Sequence, residues 1–368
     1  MRPDPAFKRV VVKVGSGVLS AGGARLDGPT LRRLCRDIGA MRSRGVEVVV
    51  VSSGAILAGV EALGLKSRPS TTQRKQAAAA VGQSRLMRFW EAGLSRERLQ
   101  VAQILLTRED LRQRQRYLNA RNTIFTLLRL GVVPVINEND TVSVDEIKFG
   151  DNDVLSALVA GLCEADVLAL LTDQEGVFTA DPRREPGARL IPLYDASAQA
   201  RIGKPGPRGS GGMASKVNAA SMASAAGLHA LIASGARSGL LASILEGARP
   251  GTWFAPKPRP LAQRRRWLAY ASHPRGQIVV DEGAREALVT GLRSLLPSGV
   301  RAIERQFSSG DVVSLVFGGR EFARGLTNYG SEELEKIKGR KTGEIAALLG
   351  RKAADEVVHR DNLAVFEP

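Results

Sequence analysis

The chain has 368 residues, 43% of them hydrophobic, enough to bury a large core and long enough for two domains. Its formal charge of +16 invites a nucleic-acid partner, but the basic excess is spread nearly evenly along the chain and arginine far outnumbers lysine, so it reads as compositional bias before a focused binding face. No apolar run is long enough to span a membrane, and the opening "MRPDPAFKR" lacks the apolar core of a signal peptide, so the expected compartment is the cytoplasm.

Residues 10–14 read as a first buried strand that carries one ammonium, Lys13, just ahead of Gly15-Ser16-Gly17. A buried unpaired lysine costs several kcal/mol, so it is either neutralised or faces an anion. An amphipathic helix over 30–43 contains Cys35, and further buried strands follow at 46–51, 101–106, 132–136, 167–171 and 230–233. Helix-like stretches at 73–90, 117–130 and 213–226 lie between them. This alternation predicts an α/β fold: βαβ units forming a mainly parallel open sheet sandwiched by helices. Cys35 and Cys163 show no CxxC or Cys/His spacing, and His229, His273 and His359 are scattered, which makes the cysteines core thiols and argues against zinc. The pattern breaks at "RPGTWFAPKPRPLAQRRRW". The expected organisation is a first domain over 1–255, a linker over 256–272 and a small β-rich domain over 273–368. In that tail "GQIVVDEGA", "GDVVSLVF" and "LAVFEP" supply strands.

In a parallel sheet the ligand sits beyond the C-terminal strand ends. Gly15-Ser16-Gly17, "SSGAILAG" with Ser52, Ser53 and Gly54, "NENDTVS", "FGDNDVLSALVA" and "TDQEGVFTADPR" occupy such places, and five strand ends are expected to converge on one crevice. Each segment has a capping or turn reading. No loop geometry, however, requires Asn137, Glu138, Asn139, Asp140, Asp151, Asn152 and Asp153 together. "GSGGMASK", residues 209–216, is a glycine-rich loop entering a helix, suited to phosphate without being a Walker A loop. Lys13 and Lys216 brought to one crevice would face a polyphosphate, with Asp153 and Asp173 orienting the lysines or holding Mg²⁺. On this reading the charge of Lys13 is answered by a ligand and not by another side chain. With no histidine or cysteine placed as base or nucleophile, the chemistry fits phosphoryl transfer to an acceptor that is already an anion.

At these residues the chain resembles the glutamate 5-kinase branch of the amino acid kinase family, followed by a PUA domain. The resemblance rests on "VVVKVGSGVL", "VSSGAILAG", "AAVGQSRLM", "LTREDL", "YLNARNT", "VPVINENDTV", "GDNDVLSALVA", "LLTDQEGVFTADPR" and "GGMASK", with "GQIVVDEGA" and "VVHRDN" in the tail. It implies the amino acid kinase fold and ATP-dependent phosphorylation of the γ-carboxylate of L-glutamate, the first step of proline biosynthesis, with ATP and Mg²⁺ as cofactors. On the same resemblance Lys13 and Lys216 bridge the phosphoryl group in flight and Asp153 holds both. Ser53, Gly54, Asn137, Asp140 and Asn152 would bind glutamate, Asp140 taking its α-ammonium. Lys13, Gly15, Ser16, Thr172, Asp173, Ser210, Gly211, Gly212, Met213, Ala214, Ser215 and Lys216 would bind ATP. A homodimer or homotetramer is implied, with handover of the product to glutamate-5-semialdehyde dehydrogenase.

Acetylglutamate, aspartate and uridylate kinases share the sheet and the lysines, but an acetylated amine would not need Asp140. The arginine-rich "TREDLRQRQRYLNAR" reads as a solvated or subunit-contacting helix before a binding patch. RNA binding by the tail stands as the alternative, in addition to the kinase. Phe307, Phe317, Phe322, Tyr329 and Phe366 read as core and not as stacking residues.

Overall fold

A run of valines is most stable as a strand covered on both faces, and the first such run sits in that position. In the computed structural model, which describes residues 7–143, 151–195, 211–257, 274–291, 293–350 and 354–365, β1 (Arg9–Val14) is the middle strand of a seven-stranded sheet. Its companions are β2 (Glu47–Ser52), β3 (Val101–Leu106), β4 (Val133–Glu138), β5 (Val167–Thr172), β6 (His229–Ser234) and β7 (Thr252–Phe254), in the order β3-β4-β2-β1-β5-β6-β7. Neighbours run parallel except β6 and β7. Strand β7 lies in the Pro/Arg-rich stretch that breaks the alternation. Its three residues, too few to show a period, pair antiparallel with β6 and are buried.

The helices are α1 (Ser16–Leu19), α2 (Gly28–Ser43), α3 (Ala55–Ala62), α4 (Thr72–Ser95), α5 (Arg108–Arg112), α6 (Arg114–Arg129), α7 (Asp151–Leu162), α8 (Gly211–Ala225) and α9 (Leu240–Leu245). Strand alternation sends Val10, Val12 and Val14 to one face, where Leu31, Leu34, Cys35 and Ile38 of α2, Trp90 and Leu94 of α4 and Leu240 and Leu241 of α9 close over them. Val11 and Lys13 point to the opposite face, which α7 and α8 cover. Helices thus lie on both faces, as the alternation predicts.

Two close approaches fix α3 against α4. A Cβ on Gly59 would sit 1.7 Å from the carbonyl oxygen of Ala78, and one on Gly82 would sit 1.8 Å from that of Ala55. The two helices therefore touch backbone to backbone. The arginine-rich stretch forms α5 and α6, broken at Gln113; Thr107 and Asp110 close a capping box, and Arg116 reaches the Asp110 carboxylate at 2.8 Å.

The chain divides into two units, Met1–Pro260 and Leu261–Pro368. The second carries a five-stranded sheet of β8 (Gly276–Val280), β9 (Val300–Glu304), β10 (Val312–Phe317), β11 (Arg320–Thr327) and β12 (Val358–Val365), in the order β12-β11-β10-β8-β9. Only β8 and β10 are parallel. Ile278, Val313, Leu315, Phe322, Tyr329 and Leu334 form its core with Phe307. Phe317 packs partly buried against it, and Phe366 lies outside the described residues. Among the described residues no helix is long and apolar enough to cross a membrane.

Candidate active site

The strand ends open into a cleft of about 810 Å³ lined by Lys13, Gly15, Ser16, Ser53, Gly54, Asn137, Asp140, Asn152, Asp153, Thr172, Asp173, Gly212 and Lys216 among others. The ends of four strands contribute, β1, β2, β4 and β5, not five; Asn152 and Asp153 come instead from the first turn of α7. Asp153 in this first turn suits the positive end of the helix dipole.

Lys13 is only 4% exposed, wedged between Val51 of β2 and Leu170 of β5. Its Nζ lies 2.5 Å from Oδ1 of Asp153, itself 1% exposed. Lys216, on the second turn of α8, places its Nζ 3.3 Å from the other oxygen, Oδ2, and donates to the Gly212 carbonyl at 3.2 Å. This corrects the expectation that a ligand alone answers the charge of Lys13. At such burial an ammonium needs a counter-charge in the fold itself, and Asp153 is that counter-charge. Burial still holds the Lys13 pKa below its ordinary 10.5; Asp153 pulls it up, and Lys216 pushes it down again.

On the other side of the cleft, Asn152 donates from Nδ2 to Ser53 Oγ at 3.2 Å and to Asn137 Oδ1 at 3.1 Å. Gly54, not a serine, caps α3. Its φ of 108° is a left-handed conformation open to glycine, and no side chain caps the helix start. The N–H groups of the first turn are therefore free of any side-chain cap at the cleft wall, where Ala55, Ile56 and Leu57 also lie. Asp140 follows β4 and lines the cleft. Asp173 is exposed at the end of β5, accepts from Thr172 Oγ1 at 3.0 Å and lies 3.8 Å from Arg183.

Of the expected ATP loop, Gly212 and Lys216 line the cleft, whereas Met213, Ala214 and Ser215 occupy the same helix start without lining it. Gly211 begins the helix, and Ser210 lies outside the described residues. The rim formed by Gly22 to Arg25 and Gly64 to Arg68, with Arg25 4.0 Å from Glu61 of α3, carried no sequence signal beyond its glycines. Gln83 of α4 was missed as well. It accepts from Asn137 Nδ2 at 2.8 Å, but in sequence it is one polar residue of a helix.

No residue lining the cleft is a histidine or cysteine, and among the described residues no three His, Cys, Asp or Glu side chains cluster to hold a metal ion. The arrangement supplies two cations on one carboxylate, backbone donors and an amide-lined wall. Such an arrangement can bring anions together.

Residues 8–234 match the amino acid kinase family, and residues 276–349 match the PUA domain. The chain is 49% identical to the glutamate 5-kinase of Pelobacter propionicus, covering 98% of each chain, and 51% identical to that of Myxococcus xanthus, covering 98% of this chain and 96% of the relative. Among solved structures, the UMP kinase of Bacillus anthracis aligns with a TM-score of 0.47 at 16% identity, over 69% of this chain and 98% of that one. With its two cations, its amide-lined wall and its C-terminal β unit, the chain belongs to the amino acid kinase family, in the glutamate 5-kinase branch that ends in a PUA domain.

Proposed function

We propose that this cleft brings ATP and L-glutamate together and transfers the terminal phosphoryl group between them through Lys13 and Lys216. The reaction is that of a glutamate 5-kinase, the first step of proline biosynthesis. A γ-carboxylate oxygen attacks the terminal phosphorus, the bond from that phosphorus to the bridging oxygen breaks, and ADP leaves with its electron pair. The acceptor is already an anion, so no proton has to be removed and the step asks for no general base. What opposes the step is repulsion between two anions, and screening it is the work of the two ammonium groups.

The observation that carries the reading is the shared carboxylate: Asp153 holds Lys13 at 2.5 Å and Lys216 at 3.3 Å, fixing both cations before substrate arrives. On the acceptor side we assign Ser53, Gly54, Asn137, Asp140 and Asn152 to glutamate, with Asp140 facing the α-ammonium. Gly15, Ser16, Thr172, Asp173 and the segment from Ser210 through Gly211, Gly212, Met213, Ala214 and Ser215 to Lys216 are assigned to ATP. Both oxygens of Asp153 are taken by lysines, so Mg²⁺ fits as the counter-ion of the nucleotide, held by phosphate oxygens with Asp173 as the exposed carboxylate at hand. Bound there, it would neutralise phosphate charge.

We assign the kinase domain to residues 1–255, the linker to 256–272 and the PUA domain to 273–368. The product is an acyl phosphate, labile in water, which favours direct handover to glutamate-5-semialdehyde dehydrogenase; the cytoplasm and a homodimer or homotetramer rest on the resemblance alone. RNA binding by the tail gains no stacking surface from Phe307, Phe322 and Tyr329, which are core residues.

Hydroxylamine traps acyl phosphates as coloured hydroxamates. With ATP and Mg²⁺, colour is expected with L-glutamate and not with N-acetylglutamate or L-aspartate. Colour with another acceptor, or with none, would overturn the assignment of Asp140 and the acceptor wall.

A further inference from the structure

Three polar groups on one edge of α4 reach three segments of the acceptor wall. Gln76 Nε2 donates to the Ser143 carbonyl at 3.1 Å, Gln83 Oε1 accepts from Asn137 Nδ2 at 2.8 Å, and Trp90 Nε1 donates to Ser52 Oγ at 2.9 Å. These residues are spaced by seven, close to two helical turns, so all three project from one face. The height of that face is fixed, because Gly82 sits where even a Cβ would meet the Ala55 carbonyl of α3 at 1.8 Å.

The direction of the hydrogen bonds follows from one unambiguous donor. The backbone N–H of Glu138 donates to Asn137 Oδ1 at 2.9 Å, so the amide nitrogen of Asn137 must point the other way, towards Gln83. The same Oδ1 then accepts from Asn152 Nδ2 at 3.1 Å, and the second hydrogen of that amide goes to Ser53 Oγ at 3.2 Å. Ser53, having accepted, keeps its own hydroxyl hydrogen to donate into the cleft. A chain of amides thus runs from the interior to a hydroxyl aimed at an anionic acceptor, and its inner end needs a hydrogen-bond acceptor at residue 83. Gln83 supplies that acceptor without lining the cleft.

We infer that Gln83 is a positioning residue for the acceptor substrate: by accepting from Asn137 it sets the orientation of the Asn137–Asn152–Ser53 relay, and so the affinity for glutamate and not for ATP. This rests on the assignment of Ser53 and Asn152 to glutamate.

The test compares the full-length protein with Gln83→Met, which keeps the length and removes the acceptor, and Gln83→Glu, which restores an acceptor oxygen at the same reach. Initial rates are measured against glutamate and ATP separately, with thermal melting alongside. The expected result is a glutamate KM raised about tenfold in Gln83→Met, the scale of one buried hydrogen bond left unmade, with the ATP KM within about twofold. Gln83→Glu should recover most of the loss. If Gln83→Met does not fold, Gln83→Ala, which leaves room for water, is read in the same way. An unchanged glutamate KM, a parallel rise in both KM values, or a Glu variant no better than Met would overturn the inference. Absence of glutamate-dependent activity in the unsubstituted protein would instead overturn the assignment of the site, so the two failures are distinguishable.

Discussion

Asp153→Asn is the substitution that asks most of the site, because it keeps the shape and removes the charge on which both lysines rest. At 2.5 and 3.3 Å the attractions of Asp153 for Lys13 and Lys216 are about 7 and about 5 kcal/mol at an effective dielectric of about 20. Desolvation of the three ions opposes them, and removing one member of such a buried group leaves a net loss of about 3–5 kcal/mol. Turnover should fall by at least about a hundredfold, the scale of one lost charge-stabilising group. The pH dependence supplies the sharper test. Burial already holds the folded Lys13 below 10.5, and Asp153 is what raises it, so the variant must drop it further. The unfolded chain keeps that proton up to about its ordinary value, so between the folded value and 10.5 the unfolded state binds more protons and stability rises with pH. Activity needs the ammonium and falls as pH rises through the same folded value. In Asp153→Asn the alkaline limb of kcat should therefore move to lower pH, while the melting temperature climbs with pH over that range more steeply than in the unsubstituted protein. Rates and melting curves from about pH 6 to about pH 9 read both. Turnover within about threefold of the original, or an alkaline limb that does not move, would refute the role of Asp153 as the common counter-ion.

Lys216→Ala, at a partly buried helix start, should fold normally and lose about a hundredfold in turnover; unchanged turnover would remove Lys216 from the mechanism. Gly82→Ala would gain about 1 kcal/mol of helix propensity but drive a methyl to 1.8 Å from the Ala55 carbonyl, so a net loss of about 2–3 kcal/mol and a melting temperature lower by roughly 5–10 °C are expected by calorimetry. An unchanged melting temperature would mean that α3 and α4 do not meet there. Burial pushes the Cys35 and Cys163 thiols up to about 12, so iodoacetamide at about pH 8 should leave both unmodified in the native protein and label both after denaturation.

The first six strands were legible because each is a short apolar run with no competing period; the cleft-lining Gly15, Gly17 and Gly54 come just after such runs, and Lys13 lies inside the first. Strand β7 was not, since Thr252, Trp253 and Phe254 are flanked by prolines and arginines that erase any pattern. Strand β11 hides for another reason: "REFARGLT" alternates charged and small residues, and pairing with β10 and β12 on both sides, not its composition, makes it a strand. Within the site, the candidates read from strand ends converge as far as Asp173 and Lys216. Gln83 escapes because the partner that gives it meaning, Asn137, is 54 positions away, and a single polar residue in a helix looks like any solvated face.

Why one carboxylate serves two lysines follows from the charges themselves. Without it, the desolvation of Lys13 between β2 and β5 would be uncompensated, and the group would shed its proton and its use. With a second carboxylate the cluster would be neutral and would offer a polyanion no net attraction. A single carboxylate shared between two ammonium groups leaves a net charge of +1, large enough to attract a polyanion and small enough to bury. Its place in the first turn of α7 puts it at the positive end of the helix dipole, which favours a negative group. On the proposed mechanism the cations are already oriented when the acceptor carboxylate and the terminal phosphate arrive, so little reorganisation is left for the transition state. The strand that looked wrong for carrying an ammonium is the part of the fold that makes this arrangement rigid.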